Sequence, residues 1–478
     1  MKQITIDIET ASDENIKDCG VYRYAESECF DLLLVSYAVD NGPVATCDIA
    51  NGETLPDDVR NALTDKTVIK KAFHVNFERI CLSVYLRRKY PEMLDFKDST
   101  GSYLDPVSWQ CDMIHCRYLG MLSSLDDMGR LLRLKEKKMA EGKELIRFFC
   151  TLHQEADGSI LFHDKSDAPK KWEKFKAYNR RDVEVELKIQ RYLSEFPVPE
   201  FVWEEFYIDQ EINDRGILVD TSFAKKAVEL DGQVKKALLP KLKELTGLDN
   251  PNSPVQMKEW LMCRGMETDT LDKKFMQKIS GSAPEEVQEV LRLYQQLSKS
   301  SVQKYTTMLR VVCADGRARG MFSFYGANRT GRFAGRLIQL QNLPQNHLDD
   351  LAELKEQIRT GEFDTIKENH DDVPDVLSQL IRTAFIPPEG KKYVVADFSA
   401  IEARVLAWLA DEKWRMQAFA NGEDIYCASA SKMFGVPVEK NGTNGHLRQK
   451  GKIAELACGY GGSIGAIKAM GGTELKLY

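Results

Sequence analysis

The chain has 478 residues, which is too long for one hydrophobic core and favours two to three domains. Hydrophobic residues make up 43% and charged residues 29%, a composition that excludes a disordered or fibrous protein. The net charge of −7 argues against nucleic-acid binding by the whole surface, although a local basic cleft is compatible with it. No signal peptide or membrane span is predicted, and eleven scattered cysteines without a Cys-x-x-Cys pair indicate reduced thiols in a cytoplasmic setting.

The first 195 residues mix short strands with helical segments, a pattern typical of an α/β domain. Strands are predicted at Ile4–Ile8, Leu32–Val39 and Val68–Ala72. In the first strand, the period of two places Asp7 and Glu9 on one face and the isoleucines on the other. Two carboxylates at this spacing can share metal ions, although an acidic strand end is more often plain solvated surface.

Two further pairs show the spacing of one helical turn. Tyr178 and Asp182 are four residues apart, which places a phenol and a carboxylate on one helical face. His74 and Glu78 have the same spacing and are predicted to share a face in the same way. Each pair alone is a weak signal, because an exposed helical carboxylate is common.

A break at Phe196–Pro199 separates this domain from a helical stretch that runs from Trp203 to about Leu309. Within it, Asn252 or Ser253 before a proline predicts a helix start, because a side-chain acceptor caps free amide groups there. A basic stretch follows and is predicted to be a track for phosphates. Its eight cations, against the single acid Asp315, are Lys299, Lys304, Arg310, Arg317, Arg319, Arg329, Arg332 and Arg336.

The segment Lys391–Arg404 predicts a hydrophobic strand that ends on Asp397 and continues into an amphipathic helix. A carboxylate just past a buried strand can hold a hard divalent cation against substrate phosphates, because Mg²⁺ takes oxygen ligands and keeps few protein ones.

A ridge of four residues follows near the chain's end, with Arg448, Lys452, Leu456 and Tyr460 repeating every four positions along one helix. The glycines around Tyr460 predict the end of that helix. Arginine and lysine one turn apart can grip a polyphosphate, and the tyrosine offers a stacking face to a base. On spacing alone, an ordinary solvated basic helix before a glycine-rich loop is the commoner explanation.

The order of the N-terminal motifs resembles the DEDD class of 3′→5′ exonucleases, tyrosine subtype, over roughly residues 1–195. The resemblance implies an RNase H-like fold in which two metal ions activate water and stabilise the leaving 3′ oxygen. It implies that Tyr178 orients or activates the attacking water. Two positions depart from the family, with Glu78 in place of the usual aspartate and His74 in place of asparagine. The implied metal ligands are Asp7, Glu9, Glu78 and Asp182.

The later motifs resemble DNA polymerases of family A, the DNA polymerase I family, in the phage or prophage type that begins with an exonuclease domain. Asp397–Arg404 resembles motif A, and the Arg448 ridge resembles motif B on the fingers helix. Arg329–Phe333 and Gln339–Gln345 are similar to primer-template motifs, and Asn250–Ser253 is similar to a thumb motif. The implied domains are the exonuclease at 1–195, a helical thumb at 196–320, a partial α+β palm at 321–410 and partial fingers at 411–478.

The resemblance also implies roles at the polymerase site. Asp397 and the backbone carbonyl of Phe398 bind the catalytic metals, and Glu402 crowds the 2′ position of the sugar. Arg448 and Lys452 hold the triphosphate, and Lys452 also protonates the pyrophosphate leaving group.

The remaining residues of this resemblance contact a base or DNA. Tyr460 stacks near the templating base, and Leu456 stands where the family usually has a phenylalanine or tyrosine that packs on the incoming sugar. Arg332, Gln341 and Asn342 contact the minor groove of primer-template DNA, where acceptor positions are nearly independent of sequence. Thumb contacts to DNA are implied for Asn252 and Ser253. For Arg404, the implied role is either structural or primer-facing.

The family's motif C, a His-Asp-Glu turn that supplies a second metal-binding aspartate, does not occur in the 478 residues. Three interpretations follow. The first is a DNA polymerase with a proofreading exonuclease, truncated before motif C, whose C-terminal part is supplied elsewhere, by a split gene or by a continuation lost to truncation. The second is a stand-alone metal-dependent exonuclease with a DNA-gripping polymerase remnant, and the third is a catalytically silent DNA-binding protein. The expected cofactor is Mg²⁺, with two ions per active site and Mn²⁺ as a substitute. The expected partners are primer-template DNA, single-stranded 3′ ends and dNTPs in a bacterial host's cytoplasm, with no membrane.

Overall fold

The computed structural model describes residues 1–93, 103–135, 139, 141–154, 158, 160–271, 275–276, 279, 283–327 and 330–471. The chain divides into two compact units, Met1–Lys391 and Lys392–Tyr478. Arg329 of the predicted basic stretch lies outside the described residues.

A five-stranded mixed sheet organises the start of the first unit. The strands are β1 Gln3–Ala11, β2 Asp31–Val39, β3 Ala45–Asp48, β4 Ile69–Ala72 and β5 Trp109–Cys111. The sheet order is β3-β2-β1-β4-β5, with β1 antiparallel to β2 and parallel to β4. The isoleucines of β1 are buried in the core beside the sheet, as the period of two predicts. The α/β prediction for this region is therefore confirmed.

Seven helices of the described residues accompany this sheet. They are α1 Ile16–Glu26, α2 Asp57–Thr64, α3 Val75–Lys89, α4 Asp112–Tyr118, α5 Leu125–Leu131, α6 Gly142–Cys150 and α7 Pro169–Leu193. The longest of them, α7, packs across β1, β2 and β3. A small hairpin of β6 His153–Gln154 and β7 Ile160–Leu161 lies between α6 and α7 in the chain.

His74 precedes α3 instead of belonging to it, so the predicted shared helical face of His74 and Glu78 is wrong. The backbone of His74 has non-helical dihedral angles, because the chain is still turning out of β4 at this point. Residue spacing alone could not reveal where that turn ends.

The rest of the first unit is mainly helical, and short antiparallel strand pairs lie within it. The break predicted at Phe196–Pro199 is confirmed, because α7 ends at Leu193 and the next helix begins at Glu200. The helices are α8 Glu200–Arg215, α9 Thr221–Thr246, α10 Pro254–Met262, α11 Glu285–Leu297, α12 Gln303–Val311, α13 Leu351–Thr360, α14 Phe363–Asn369 and α15 Val373–Leu380. The strands are β8 Ile217–Leu218, β9 Arg317–Ala318, β10 Phe322–Ala327 and β11 Arg332–Gly335.

The predicted start of α10 is confirmed in detail. Ser253 is the capping residue, and its hydroxyl accepts a hydrogen bond from the Gln256 amide at 3.4 Å. This bond satisfies one of the amide groups that have no partner within the first turn of the helix.

The second unit is built from helices that pack closely. They are α16 Ile401–Leu409, α17 Lys413–Ala420, α18 Ile425–Phe434, α19 Arg448–Gly459 and α20 Ile464–Ala469. Gly451 allows the closest approach, because a Cβ at this position would lie 2.1 Å from the Tyr426 carbonyl oxygen. The helix carrying the Arg448 ridge ends at Gly459, as predicted.

The strand predicted to end on Asp397 is not formed, so this prediction is wrong. Residues 391–399 have no strand structure and are exposed, and the side chains of Val394 and Val395 are 84% and 91% accessible. A strand needs a neighbour to pair its backbone amide and carbonyl groups, and none of the described strands pairs with this segment. The helix predicted after it is confirmed as α16.

Candidate functional site

Three carboxylates meet at the end of β1. Ligand oxygens of Asp7, Glu9 and Asp182 all lie within 4.8 Å of one another. Asp7 and Glu9 share one face of the strand, and α7 carries Asp182 across that face. The pairing of β1 with β2 shifts register between Glu9 and Thr10, an irregularity of the kind that redirects side chains beside functional sites.

Glu78 and Tyr178 line the same cavity, whose volume is about 750 Å³. Glu78 is buried in the first turn of α3, and the cavity joins it to the group of three carboxylates. Tyr178 lies one turn before Asp182 on α7 and is also buried. Its ring packs against Gly142 of α6, where a Cβ would lie 2.2 Å from the ring, so a larger residue there would displace the phenol.

The environment of Tyr178 keeps its hydroxyl protonated. Burial, followed by the charges of Glu9, Asp182 and Asp7, raises the pKa of the Tyr178 phenol well above its usual range. A protonated phenol can donate a hydrogen bond to water but cannot take up a proton from it. Tyr178 therefore keeps a hydrogen-bonding hydroxyl in the lining of the cavity.

The chemistry of the three carboxylates fits a divalent cation. Hard cations such as Mg²⁺ prefer oxygen ligands, and three carboxylates provide both the ligands and the negative charge that balances the ion. Three close carboxylates without a cation would repel one another. The residues present therefore fit the metal site predicted from the sequence, with Glu78 in reach of the same cavity.

A buried polar network supports α7 behind this site. The Asn179 side-chain amide donates a hydrogen bond to the Asp7 carboxylate at 2.6 Å. About three turns further along the helix, the Gln190 amide donates to Asp112 at 2.6 Å and to Glu186 at 3.2 Å. Burial raises the pKa of both Asp112 and Glu186, and the mutual approach of the two carboxyl groups keeps a proton between them.

A second cluster lies within the helical unit. Arg448 pairs with Asp424 at 2.7 Å, and the Tyr460 hydroxyl donates to Glu402 at 2.5 Å. Glu402, Leu456 and Tyr460 line one cavity of about 300 Å³ between α16 and α19. The structure thus brings together three of the residues predicted to contact a nucleotide.

The other residues predicted for this cluster lie at its margins. Lys452 is half-buried on α19, one turn after Arg448. Asp397 and Phe398 are exposed and are not among the residues that line the cavity. The Arg404 guanidinium lies over the Phe419 ring at 4.4 Å and donates to the Ser399 carbonyl at 2.9 Å, contacts that suit the structural role among its two predicted roles.

The residues predicted to contact DNA lie in the first unit. Arg332 begins β11 and is exposed. Gln341 packs against Gly335 at the end of that strand, where a Cβ would lie 2.2 Å from the Gln341 amide oxygen. Asn342 donates to Gln339 at 3.1 Å. Asn252 is exposed before α10, whereas the hydroxyl of Ser253 serves as the helix cap described above.

Comparison with known proteins decides the family. A family model described as DNA polymerase family A matches residues 222–472. The DNA polymerase of Bacillus phage SP02 is 44% identical over 480 residues, which cover 100% of this chain and 72% of that protein. The chain belongs to DNA polymerase family A.

Other relatives of this family A polymerase match over shorter lengths. DNA polymerase I of Rhizobium leguminosarum is 40% identical over 104 residues, which are 21% of this chain and 10% of that protein. A solved structure, the POL domain of Pol1 from M. smegmatis in complex with DNA primer-template and dNTP, is similar with a TM-score of 0.58. It shares 18% identity and is matched over 98% of this chain and 69% of its own.

These similarities confirm the predicted family and fold class. The chain is a DNA-directed DNA polymerase of phage type with the α/β fold of family A, and enzymes of this family depend on divalent metal ions. Among the described residues, no helix is both long and apolar enough to cross a membrane.

Sequence patterns did not indicate the polar residues that support α7 behind the polymerase's carboxylate cavity. Asn179 lies inside the Tyr178–Asp182 motif, but its contact with Asp7 depends on the packing of α7 over β1. Asp112, Glu186 and Gln190 have no motif of their own. The one available signal was the spacing of Asp182, Glu186 and Gln190 at four residues each, which continues the polar face of α7.

Proposed function

We propose that this polymerase also removes nucleotides from 3′ ends by metal-dependent hydrolysis, and that it acts in phage DNA replication. The observation that carries the exonuclease proposal is the approach of Asp7, Glu9 and Asp182 within 4.8 Å in a cavity that Glu78 and Tyr178 also line. A DNA strand end with its phosphate at these carboxylates would need a divalent cation to offset the repulsion between like charges.

In the proposed hydrolysis, Asp7, Glu9, Glu78 and Asp182 hold two Mg²⁺ ions, for which Mn²⁺ can substitute. When bound, the ions supply activation of a water molecule and stabilisation of charge on the leaving 3′ oxygen. The Tyr178 hydroxyl donates a hydrogen bond that orients the attacking water. Asn179 fixes the direction of the Asp7 carboxylate through its 2.6 Å hydrogen bond.

In the proposed polymerisation, Asp397 and the Phe398 carbonyl hold the metal ions, and Arg448 and Lys452 bind the triphosphate of the incoming dNTP. Lys452 also donates a proton to pyrophosphate as it leaves. Glu402 limits space at the 2′ position of the sugar, and Tyr460 and Leu456 face the nucleotide.

The proposed DNA contacts lie on the first unit and at the start of α16. Primer-template DNA lies along Arg332, Gln341 and Asn342, and the thumb contributes Asn252 and Ser253. Arg404 anchors the motif A helix beside the primer. The proposed domains are an exonuclease domain (1–195), thumb (196–320), palm (321–410) and fingers (411–478), and the proposed place of action is the host cytoplasm.

A second candidate is favoured by the exposure of residues 391–399. Because Asp397 lies in a segment without strand pairing, the 478 residues alone would act as an exonuclease whose polymerase part only grips DNA. In that case, polymerisation requires a further C-terminal segment that carries motif C, supplied as a separate fragment or as a continuation of the chain.

A recessed primer-template with a labelled 3′ strand separates the candidates. With Mg²⁺ and dNTPs, the first candidate is expected to extend the primer, whereas the second is expected to shorten the primer without extending it. Extension by this chain alone would refute the need for motif C, and absence of shortening when dNTPs are withheld would refute the exonuclease.

The metal assignment has its own test. Replacement of Asp7 and Glu9 by alanine removes two ligands and is expected to abolish the shortening. The matched control replaces Asp57 and Asp58, two exposed carboxylates of α2, and is expected to keep it. Shortening that persists in the Asp7→Ala, Glu9→Ala variant would contradict the assignment.

A further inference from the structure

A basic groove lies on the exonuclease region, apart from the carboxylate cavity. Its volume is about 710 Å³, and its walls are the second half of α7, the start of β1, the turn after β2 and the end of β4. A single carboxylate, Glu184, lies among five cations in the lining. The cations are Lys71, Arg180, Arg181, Lys188 and Arg191.

The groove and the carboxylate cavity use opposite faces of α7. Successive residues of a helix are about 100° apart, so Arg191, nine positions after Asp182, points about 180° away from it. Accordingly, Asp182 is buried against the sheet and Arg191 is exposed. A strand in the groove would therefore not occupy the cavity.

The length of the cationic ridge suits a chain of phosphates. Arg180 and Arg191 are separated by eleven helical steps, about 16 Å along the axis. A DNA strand carries one phosphate per nucleotide, so more than one phosphate fits along a ridge of this length.

Cations outnumber carboxylates among the described residues that line the groove. Glu184 pairs with both Arg180, at 3.2 Å, and Arg181, at 3.0 Å. Lys71 reaches the groove from β4, so the positive charge comes from two walls and not from one solvated helix face. The whole chain has a net charge of −7, which makes this concentration of cations a local feature.

The lining selects phosphate over base. No aromatic residue is among the described residues that line the groove, so it has no platform on which a base could stack. Recognition would rest on the backbone and would be independent of sequence.

We propose that this groove binds the sugar-phosphate backbone of single-stranded DNA, as a contact separate from the exonuclease cavity. The groove would hold a DNA strand whether the carboxylate cavity is occupied or empty. Its contribution to the affinity for single-stranded DNA therefore does not depend on hydrolysis.

The test compares two variants of the full chain that lose the same charge. Lys71→Gln with Arg191→Gln removes two groove cations, one from each wall, and Lys170→Gln with Lys174→Gln removes two exposed lysines at the other end of α7. Binding of a long fluorescent oligothymidylate is measured by anisotropy in metal-free buffer, where no strand is cut. The groove variant is expected to bind about 20-fold more weakly at 0.1 M salt, with a salt slope lower by about 1.4. The control variant is expected to bind like the unaltered chain.

Two further measurements keep the proposal falsifiable. Cleavage of a trinucleotide, a comparison that rests on the proposed exonuclease function, is expected to be equal in the groove variant and the unaltered chain, because this substrate is too short to reach both sites. A parallel loss of cleavage would overturn the proposal, because the groove would then not be separate from the cavity. Equal oligothymidylate binding by both variants would overturn the proposal. Tripolyphosphate binding is measured for the same variants. If the groove variant lost tripolyphosphate binding but kept oligothymidylate binding, the proposal would also be overturned, because the groove would then be a site for free polyphosphates.

Discussion

The side-chain amide of Asn179 donates a 2.6 Å hydrogen bond to the carboxylate of Asp7, which joins helix α7 to strand β1. Asp7 and Asp182 come from these two different elements, so the bond also links the strand and the helix that carry these neighbouring carboxylates. Partners of this kind set the orientation of a metal ligand, and their loss typically lowers metal affinity or activity by about 10- to 100-fold.

Asn179→Ala is expected to lower the rate of 3′-end hydrolysis by about 10- to 100-fold and to raise the Mg²⁺ concentration needed for half-maximal activity. The reason is the loss of the bond that orients Asp7. Single-turnover hydrolysis across a Mg²⁺ titration measures both effects. Asn61→Ala, an identical change at an exposed position of α2, serves as the control. An unchanged Mg²⁺ dependence would contradict the positioning role.

His74 is expected to remain neutral well below neutral pH. Burial, followed by the charges of Arg336 and Arg117, lowers the pKa of His74 to about 4, whereas an unfolded chain has a histidine pKa of about 6.5. Between these values the unfolded chain binds a proton that the folded chain does not. Stability from this residue is therefore present above pH 6.5 and falls as the pH drops towards 4, by about 2 kcal/mol at pH 5.

Proton NMR of the histidine rings checks this prediction. The resonance that His74→Gln removes is expected to keep its position from pH 8 to about pH 5, because the imidazole does not protonate there. The exposed His446 provides a comparison through His446→Gln. A midpoint near pH 6.5 for the His74 resonance would show that the ring is not shielded.

Arg448→Gln is expected to weaken dNTP binding by about tenfold or more, because a charge-assisted bond to phosphate contributes about 1.5–3 kcal/mol. Lys450→Gln removes the same charge two residues away, where the lysine lies over the Phe434 ring at 5.3 Å, and is expected to have little effect. Fluorescence titration with a labelled dNTP measures both affinities. Equal losses of dNTP affinity in the two variants would indicate that the overall positive charge of the helix attracts the nucleotide, and that Arg448 makes no specific contact.

Gly451→Ala is expected to destabilise the second unit by about 1–3 kcal/mol, because its Cβ would lie 2.1 Å from the Tyr426 carbonyl oxygen and would push α18 and α19 apart. Gly465→Ala is the matched control, since a Cβ there meets no atom within 4 Å. Limited proteolysis of residues in this unit reports local opening. Equal cleavage rates for both variants would refute the packing argument.

The periodicity of the sequence predicted which side chains share one face of a strand or helix. The period of two placed Asp7 and Glu9 on one face of β1, and the four-residue spacing placed Tyr178 and Asp182 together on α7. The cap at Ser253 was also predictable, because a helix start depends on residues next to it in the chain.

Contacts between distant segments could not be predicted in this way. The apolar run before Asp397 has the composition of a strand, yet a strand forms only beside another strand, and the run carries no information about its neighbour. The bond between Asn179 and Asp7 spans 172 positions of the sequence, so no local pattern indicates it.

Helix α7 is held at three points by side-chain bonds that face the sheet. The Trp172 indole N–H donates to Asp48 at 2.8 Å. Asn179 and Gln190, which are hydrogen-bonded to Asp7 and Thr5 of β1, follow it by seven and eighteen residues, which are close to two and five full turns. These bonds set the rotational phase of the helix. One residue inserted between Trp172 and Asn179 would turn every later side chain by about 100° and move the acidic face off the sheet. The number of residues in α7 is therefore constrained as strictly as their identities.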